Sequence, residues 1–325
     1  MPNSNSTDYL EDKNSAFPAN NPTVIVTLLG EYLFKKTWFP LCTKTWNLAK
    51  LSHPIYIIND GTLSEESKEQ IASMGFILAP EIDVNAVVNF SLSNYPAIRE
   101  LRQKCIFFKK LIDISLFFTD KKILYLDSDV VFTRRFILPG DAPSLLFCID
   151  EIPGYAGSWQ VPLRYPIVTG FNAGFIYFDP AILDLNYLDY IAHHYLLKTK
   201  NIFWLEQTCW ALLAARIENK GIFEGQDACV IGGLKKRTPA EIRLNQTTYF
   251  RRYDGLADLQ TIELLIGDAA VVHFAGSAKT WIEPIYQKII NNYDHEEVSP
   301  LKWKKVENAS YKERLFIGAR MALKG

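Results

Sequence analysis

Two carboxylates, Asp127 and Asp129, interrupt an apolar run in the stretch KKILYLDSDVVF, residues 121–132. Side chains at i and i+2 of a strand share one face, about 6.5–7 Å apart between Cα atoms. Two desolvated carboxylates side by side repel unless a proton or cation sits between them. A divalent cation that also holds a phosphorylated ligand accounts for the pair, and oxygen ligands suit Mg2+ or Mn2+. A solvated strand-to-turn junction is the plainer alternative. A second group stands far along the chain, in VVHFAGSAKTW: His273, Gly276, Lys279 and Trp281. Imidazole is a borderline ligand and favours Mn2+ over Mg2+ at a mixed site. Gly276 admits a close backbone approach to phosphate. Lys279 brings a positive charge to a diphosphate.

These groups need elements to hold them. TVIVTLL (23–29) reads as a buried strand, followed by a helical stretch to about residue 50. PIYIIND (54–60) reads as a second strand ending in an Asp-Gly turn, then TLSEESKEQIASMG as a capped helix. FILAPEI is a third candidate strand. A long helix over 97–118 leads into the strand that carries the two acids. SLLFCID (144–150), FNAGFIYFDP (171–180) and DAAVVHF (268–274) read as further strands, with helices around 181–199 and 205–217. Strands alternating with helices predict a doubly wound α/β fold with a mostly parallel sheet. Open α/β sheets bind ligands at the C-terminal strand ends, which is where Asp127 and Asp129 fall. The expected organisation is a flexible polar tail over 1–21, one domain over 22–300, and a basic, helical segment over 301–325.

Composition narrows the classes. The chain has 325 residues, 48% hydrophobic and 22% charged, an ordinary globular balance. A formal net charge of −1 leaves no bulk electrostatic case for nucleic acid. The five dispersed cysteines include no Cys-x-x-Cys pair, which points to reduced thiols and a cytoplasmic protein. The polar start lacks the apolar core of a signal peptide. The last 25 residues hold seven Lys or Arg against two Glu. They could form a basic amphipathic helix with peripheral membrane contact, or a solvated helix packed on the domain. The loop 151–170, with Tyr155, Trp159, Arg164 and Tyr165, has the composition of a sugar platform or of an ordinary packed loop.

Two families share the first motif. ILYLDSDVV resembles the nucleophile strand of haloacid-dehalogenase-type phosphatases, but LLIGDAAVV supplies only Gly267-Asp268, with Val272 where a second acid belongs. The ordered set LYLDSD, FNAGFIYFD, LEQTCWA and HFAGSAKTW resembles GT-A-fold glycosyltransferases, in particular the glycogenin-like and bacterial galactosyltransferase-like retaining group. Glu206 stands where that group usually has Asp, and Thr280 where it has Pro. The resemblance implies a single Rossmann-like GT-A domain and transfer of a hexose from a UDP-sugar to a carbohydrate-bearing acceptor. It implies Mn2+ or Mg2+ held by Asp127, Asp129 and His273. Lys279 and the Gly276 backbone would neutralise the leaving diphosphate, and Ser128 would lie near the ribose. Thr27 and Asp60 would meet uracil and ribose, or serve as ordinary turn residues. Lys110, or the adjacent Lys109, would lie near the donor, and Asn172 and Gly174 would line its sugar. Glu206 and Gln207 would stand beside the reacting carbon. A protein that kept the fold and binds nucleotide sugars without turnover is the remaining reading.

Overall fold

The computed structural model describes residues 23–51, 53–150, 154–232, 259–292 and 294–324. The expected tail over 1–21 lies outside them. The main sheet has eight strands: β1 (Thr23–Leu29), β2 (Ile55–Asn59), β3 (Ile77–Leu78), β4 (Lys122–Leu126), β7 (Leu145–Ile149), β8 (Phe171–Phe178), β9 (Lys220–Phe223) and β13 (Trp303–Lys305). Their order is β13-β9-β7-β8-β4-β1-β2-β3. Pairing is parallel across β4-β1-β2-β3 and between β7 and β9, while β8 runs against both its neighbours and β13 against β9. Six of the eight strands therefore share a direction. The expected mostly parallel α/β sheet is what forms.

β1 is buried along its whole length, which suits a central parallel strand covered on both faces. Alternate residues feed two cores. Val26, Tyr125, Phe147 and Ile176 face one layer of helices. Ile25, Leu124, Leu146 and Phe175 face the other layer, which includes the helical stretch α1 (31–48). Residues 81–91, 96–104 and 108–117 belong to the first layer, while Ile71 of residues 65–73 faces the second. α2 (Glu65–Ser73) is capped by Ser64, whose Oγ accepts from the Ser67 amide. α3 (Glu81–Ser91) begins inside the expected third strand, where Pro80 ends the extended segment. The expected long helix is broken at Cys105–Phe107 into α4 (Pro96–Lys104) and α5 (Phe108–Phe117).

Three strands outside the main sheet complete the surroundings of the acids. β5 (Val130–Phe132) pairs antiparallel with β11 (Val271–Ala275), and β11 pairs parallel with β10 (Ala228–Gly232). Thus LYLDSDVVF is not one strand. β4 belongs to the main sheet, β5 to the small one, and Asp127–Asp129 form the turn between them. α1 ties this junction down: Trp46 Nε1 donates to the Val130 carbonyl at 2.8 Å, and the Phe132 amide donates to Thr45 Oγ1 at 3.2 Å. β6 (Arg134–Ile137) pairs with β12 (Asp294–Pro300) at the edge. The basic segment is not a detached tail. β13 closes the main sheet, and the helix Tyr311–Lys324 docks on the body.

The remaining helices are α6 (Val161–Arg164), α7 (Leu185–Ile191), α8 (Leu205–Ala214), α9 (Leu259–Ile266), α10 (Ile282–Asn292) and α11 (Tyr311–Lys324). Arg314 of α11 donates to the carbonyls of Pro162 and Leu163 at 2.5 and 2.6 Å. Ile317 and Met321 are buried in the core beneath it. No described helix is long and apolar enough to cross a membrane. The cysteines are free; Cys42, Cys105, Cys148 and Cys209 are buried and Cys229 is half-buried.

Candidate metal and donor site

A cleft of about 370 Å³ opens beside the β4–β5 junction. Asp127 is placed by its own amide, which donates to the Gly174 carbonyl at 2.7 Å. Its Oδ1 is taken twice, by the Tyr125 hydroxyl at 2.6 Å and by Lys110 Nζ at 2.5 Å. Asp129 is buried, and its Oδ2 is paired with Lys279. Each acid is left with one oxygen that faces the same nitrogen. Asp127 Oδ2 lies 3.6 Å from His273 Nε2, and Asp129 Oδ1 lies 3.2 Å from it. Asp129 Oδ1 is buried with no hydrogen-bond partner.

The histidine is aimed by β8. Asn172 Oδ1 accepts from the Gly174 amide at 2.9 Å and lies 2.8 Å from His273 Nδ1. An oxygen there calls for a proton on Nδ1 and leaves Nε2 as the ring nitrogen that faces the two acids. Residue 174 must be small: a Cβ at that position would overlap the His273 ring. A bulge in β8 makes the arrangement possible. The register to β7 jumps from Phe147↔Ile176 to Cys148↔Asn172, leaving Ala173 to Phe175 as surplus.

Among the described residues, Asp127, Asp129 and His273 are the three whose ligand atoms lie within 4.8 Å of one another. Two carboxylate oxygens and one imidazole nitrogen fit a divalent cation of the Mn2+ kind. Burial opposes ionisation of Asp129, yet Lys279 beside it holds its carboxyl well below the usual range. Burial likewise pulls down both lysines, but Asp127 raises Lys110 and Asp129 raises Lys279, so each stays charged. Glu206 behaves differently. Burial pushes it up to about 8; Lys110 opposes the rise and Asp127 adds to it.

The structure brings Asp127, Asp129, His273, Lys110, Asn172, Gly174, Glu206, Gln207, Gly276 and Lys279 to one cleft. It resolves the choice of lysine: Lys109 turns away and donates to the carbonyls of Asn59 and Asp60 at 3.2 and 3.0 Å. Gly276 has φ 59, a left-handed conformation that suits glycine. Thr27, Asp60 and Ser128 are not among the cleft's lining residues. Thr27 and Ser128 are buried. Asp60 builds a turn, its Oδ1 accepting from the Thr62 amide at 2.8 Å and hydroxyl at 2.6 Å.

The loop expected as a sugar platform contributes little. Tyr155 is buried and donates to the Val168 carbonyl at 2.6 Å, and Tyr165 packs on Tyr187 and Tyr195. Neither lines the cleft. Its aromatic wall is Phe107, Phe203 and Trp204, with Asp150 and Gly154 on the floor. Asp150 closes strand β7 as Asp127 closes β4, and the same strand-end logic could have found it. Asp268, the acid a dehalogenase-type phosphatase would enlist, is not among the lining residues; its carbonyl accepts from Arg134 Nε at 3.2 Å.

No family model matches the chain, and no curated protein does. Several solved structures are similar. The galactosyltransferase LgtC, in complex with donor and acceptor sugar analogues, is 13% identical, with 82% of this chain and 95% of that chain covered and a TM-score of 0.44. The bifunctional glycosyltransferase WbbM is 15% identical over 85% of this chain and 52% of that one, at 0.48. Core-mannan synthase A from Aspergillus fumigatus, in an Mn/GDP form, is 13% identical over 65% and 76%, at 0.34. The similar structures are glycosyltransferases. At these identities and TM-scores the likeness assigns neither donor nor acceptor to this chain.

Proposed function

We propose that the protein is a metal-dependent glycosyltransferase that moves a hexose from a UDP-sugar to a carbohydrate-bearing acceptor, with retention. One observation carries the reading: each of two acids keeps one uncommitted oxygen, and both oxygens face the same nitrogen of an oriented histidine. Asp127, Asp129 and His273 would hold the cation. When bound, it supplies Lewis-acid stabilisation of a leaving diphosphate. Lys279 and Lys110 would add fixed positive charge where negative charge develops on the diphosphate. The left-handed turn at Gly276 would let backbone approach the phosphates. Asn172 would hold the histidine's orientation while lining the donor sugar's side of the cleft.

Glu206 and Gln207 sit on the first turn of α8, facing the same cleft. In this reading they would bind sugar hydroxyls beside the reacting carbon. In the transfer, the acceptor oxygen bonds to the anomeric carbon as the bond from that carbon to the diphosphate oxygen breaks. The acceptor's proton passes to the leaving diphosphate. Glu206 is held as a neutral acid in the free protein, so it serves better as a hydrogen-bond donor than as a nucleophile.

Thermal unfolding with UDP tests the reading. Wild type is expected to gain several degrees in Tm from UDP only when Mn2+ is present, by linkage. Asp129→Ala and His273→Ala should each abolish that gain. If both variants keep it, the metal assignment is wrong.

A further inference from the structure

The cleft has two unlike walls. One bears Asp127, Asp129, His273 and both lysines. The other is mainly aromatic: Phe107, Phe203 and Trp204 line it, in the stretch that runs on to Glu206 and Gln207. That wall continues out of the cleft onto the surface. Phe203 is 56% exposed, and Ile106 and Ile202 are each 39% exposed. Phe203 belongs to one aromatic cluster with the cleft wall and is not an isolated exposed ring. Phe107 and Phe203 meet edge to face with centroids 5.2 Å apart, and Phe203 meets Trp204 in the same way at 5.7 Å. Cys105 Sγ donates to the Ile202 carbonyl at 3.3 Å, which fastens the 202–204 segment to the break between α4 and α5.

Exposed apolar surface continuous with a ligand cleft marks a binding site more often than chance packing. A wall built to grip a second sugar ring pairs an aromatic face with polar groups for hydroxyls. Here Phe203 has Ile202, Phe107 and Trp204 for neighbours, and Ile106 and Ile202 add exposed aliphatic surface close by in the chain. The geometry points to an acceptor glycoside with an apolar aglycone: its sugar enters the cleft toward the metal group, and its alkyl or prenyl part lies along Phe107, Ile202 and Phe203. This rests on the glycosyltransferase reading above and names the acceptor's class.

The test uses octyl and methyl glycosides of galactose and glucose, below their micellar concentrations, titrated calorimetrically into the protein with UDP and Mn2+. Each buried methylene adds about 0.8 kcal/mol. Partial burial of the octyl chain is therefore expected to tighten binding at least tenfold over the methyl glycoside. Phe203→Ser and Ile202→Ser should each cut that ratio to about threefold or less. Phe90→Ser, at an 82% exposed site on α3, should leave it unchanged. Equal affinity for octyl and methyl forms, no octyl binding, or a ratio indifferent to Phe203 and Ile202 overturns the inference. Tighter binding of a methyl disaccharide than of the octyl monosaccharide assigns the wall to a second sugar and overturns it too. Absence of the Mn2+-dependent UDP effect in wild type marks failure of the underlying reading instead.

Discussion

A carboxyl held at about 8 is mostly protonated at neutral pH, and Glu206 is such a group within a cleft that also contains Asp127 and Asp129. Its spacing before Gln207 marked it in the sequence; its charge state was not legible there. That state depends on Asp127 and Lys110, residues 79 and 96 positions away in the chain, and on burial. The consequence for stability has a definite sign. The folded value lies above the ordinary 4.5, so the folded state holds the proton longer than the unfolded one. The protection is complete below about 4.5 and is lost as pH rises toward 8, at up to about 1.4 kcal/mol per pH unit. Glu206→Gln removes that slope. Urea unfolding of the metal-free protein between pH 5 and 8 should show wild type losing stability relative to the variant as pH rises. Parallel curves would show that the carboxyl is already ionised in the folded protein.

At the scale of elements, the site is a meeting of β4, β5, β8 and β11, and the least visible contribution is the bulge in β8. FNAGFIYF reads as a plain buried strand, and its resemblance motif suggested sugar contacts for Asn172 and Gly174. What these residues do in the free protein is hold His273: one fixes its proton, the other makes room for its ring. No local pattern announces this, because the partner lies 101 residues on. The strand itself was legible from its apolar run, as were β1, β2, β4 and β7. The split of LYLDSDVVF between two sheets was not, since the turn Asp127–Asp129 carries no glycine or proline. Gly174→Ala tests the packing argument. Overpacking there should destabilise by about 1–3 kcal/mol and abolish the Mn2+-dependent UDP gain in Tm. Retention of that gain by a folded variant would show that the ring can shift without losing its ligand geometry.

For the whole molecule, alternation of strands and helices disclosed the main sheet but not its closure. Trp303–Lys305 is short and two-thirds basic, with nothing of a strand in its composition, yet it pairs antiparallel with β9 at the sheet's edge. α11 then returns across the body, burying Ile317 and Met321 while leaving Phe316 61% and Leu323 77% exposed. Gly318 permits the close approach: its Cβ position lies 2.9 Å from the Trp159 carbonyl oxygen. The basic character that suggested a membrane segment is divided: Lys304 and Lys305 are exposed on β13, while Arg314 turns inward to the carbonyls of Pro162 and Leu163. A chain ending at residue 300 would lose both an edge strand and three buried apolar side chains, Leu301, Ile317 and Met321. Its Tm should fall by roughly 5 °C or more, since each kcal/mol shifts a domain of this size by about 2–4 °C. Phe316→Ser, which touches only the outer face, should stay within about 1 °C of wild type. A truncated chain as stable as the intact one would mean that the last 25 residues decorate the fold instead of completing it.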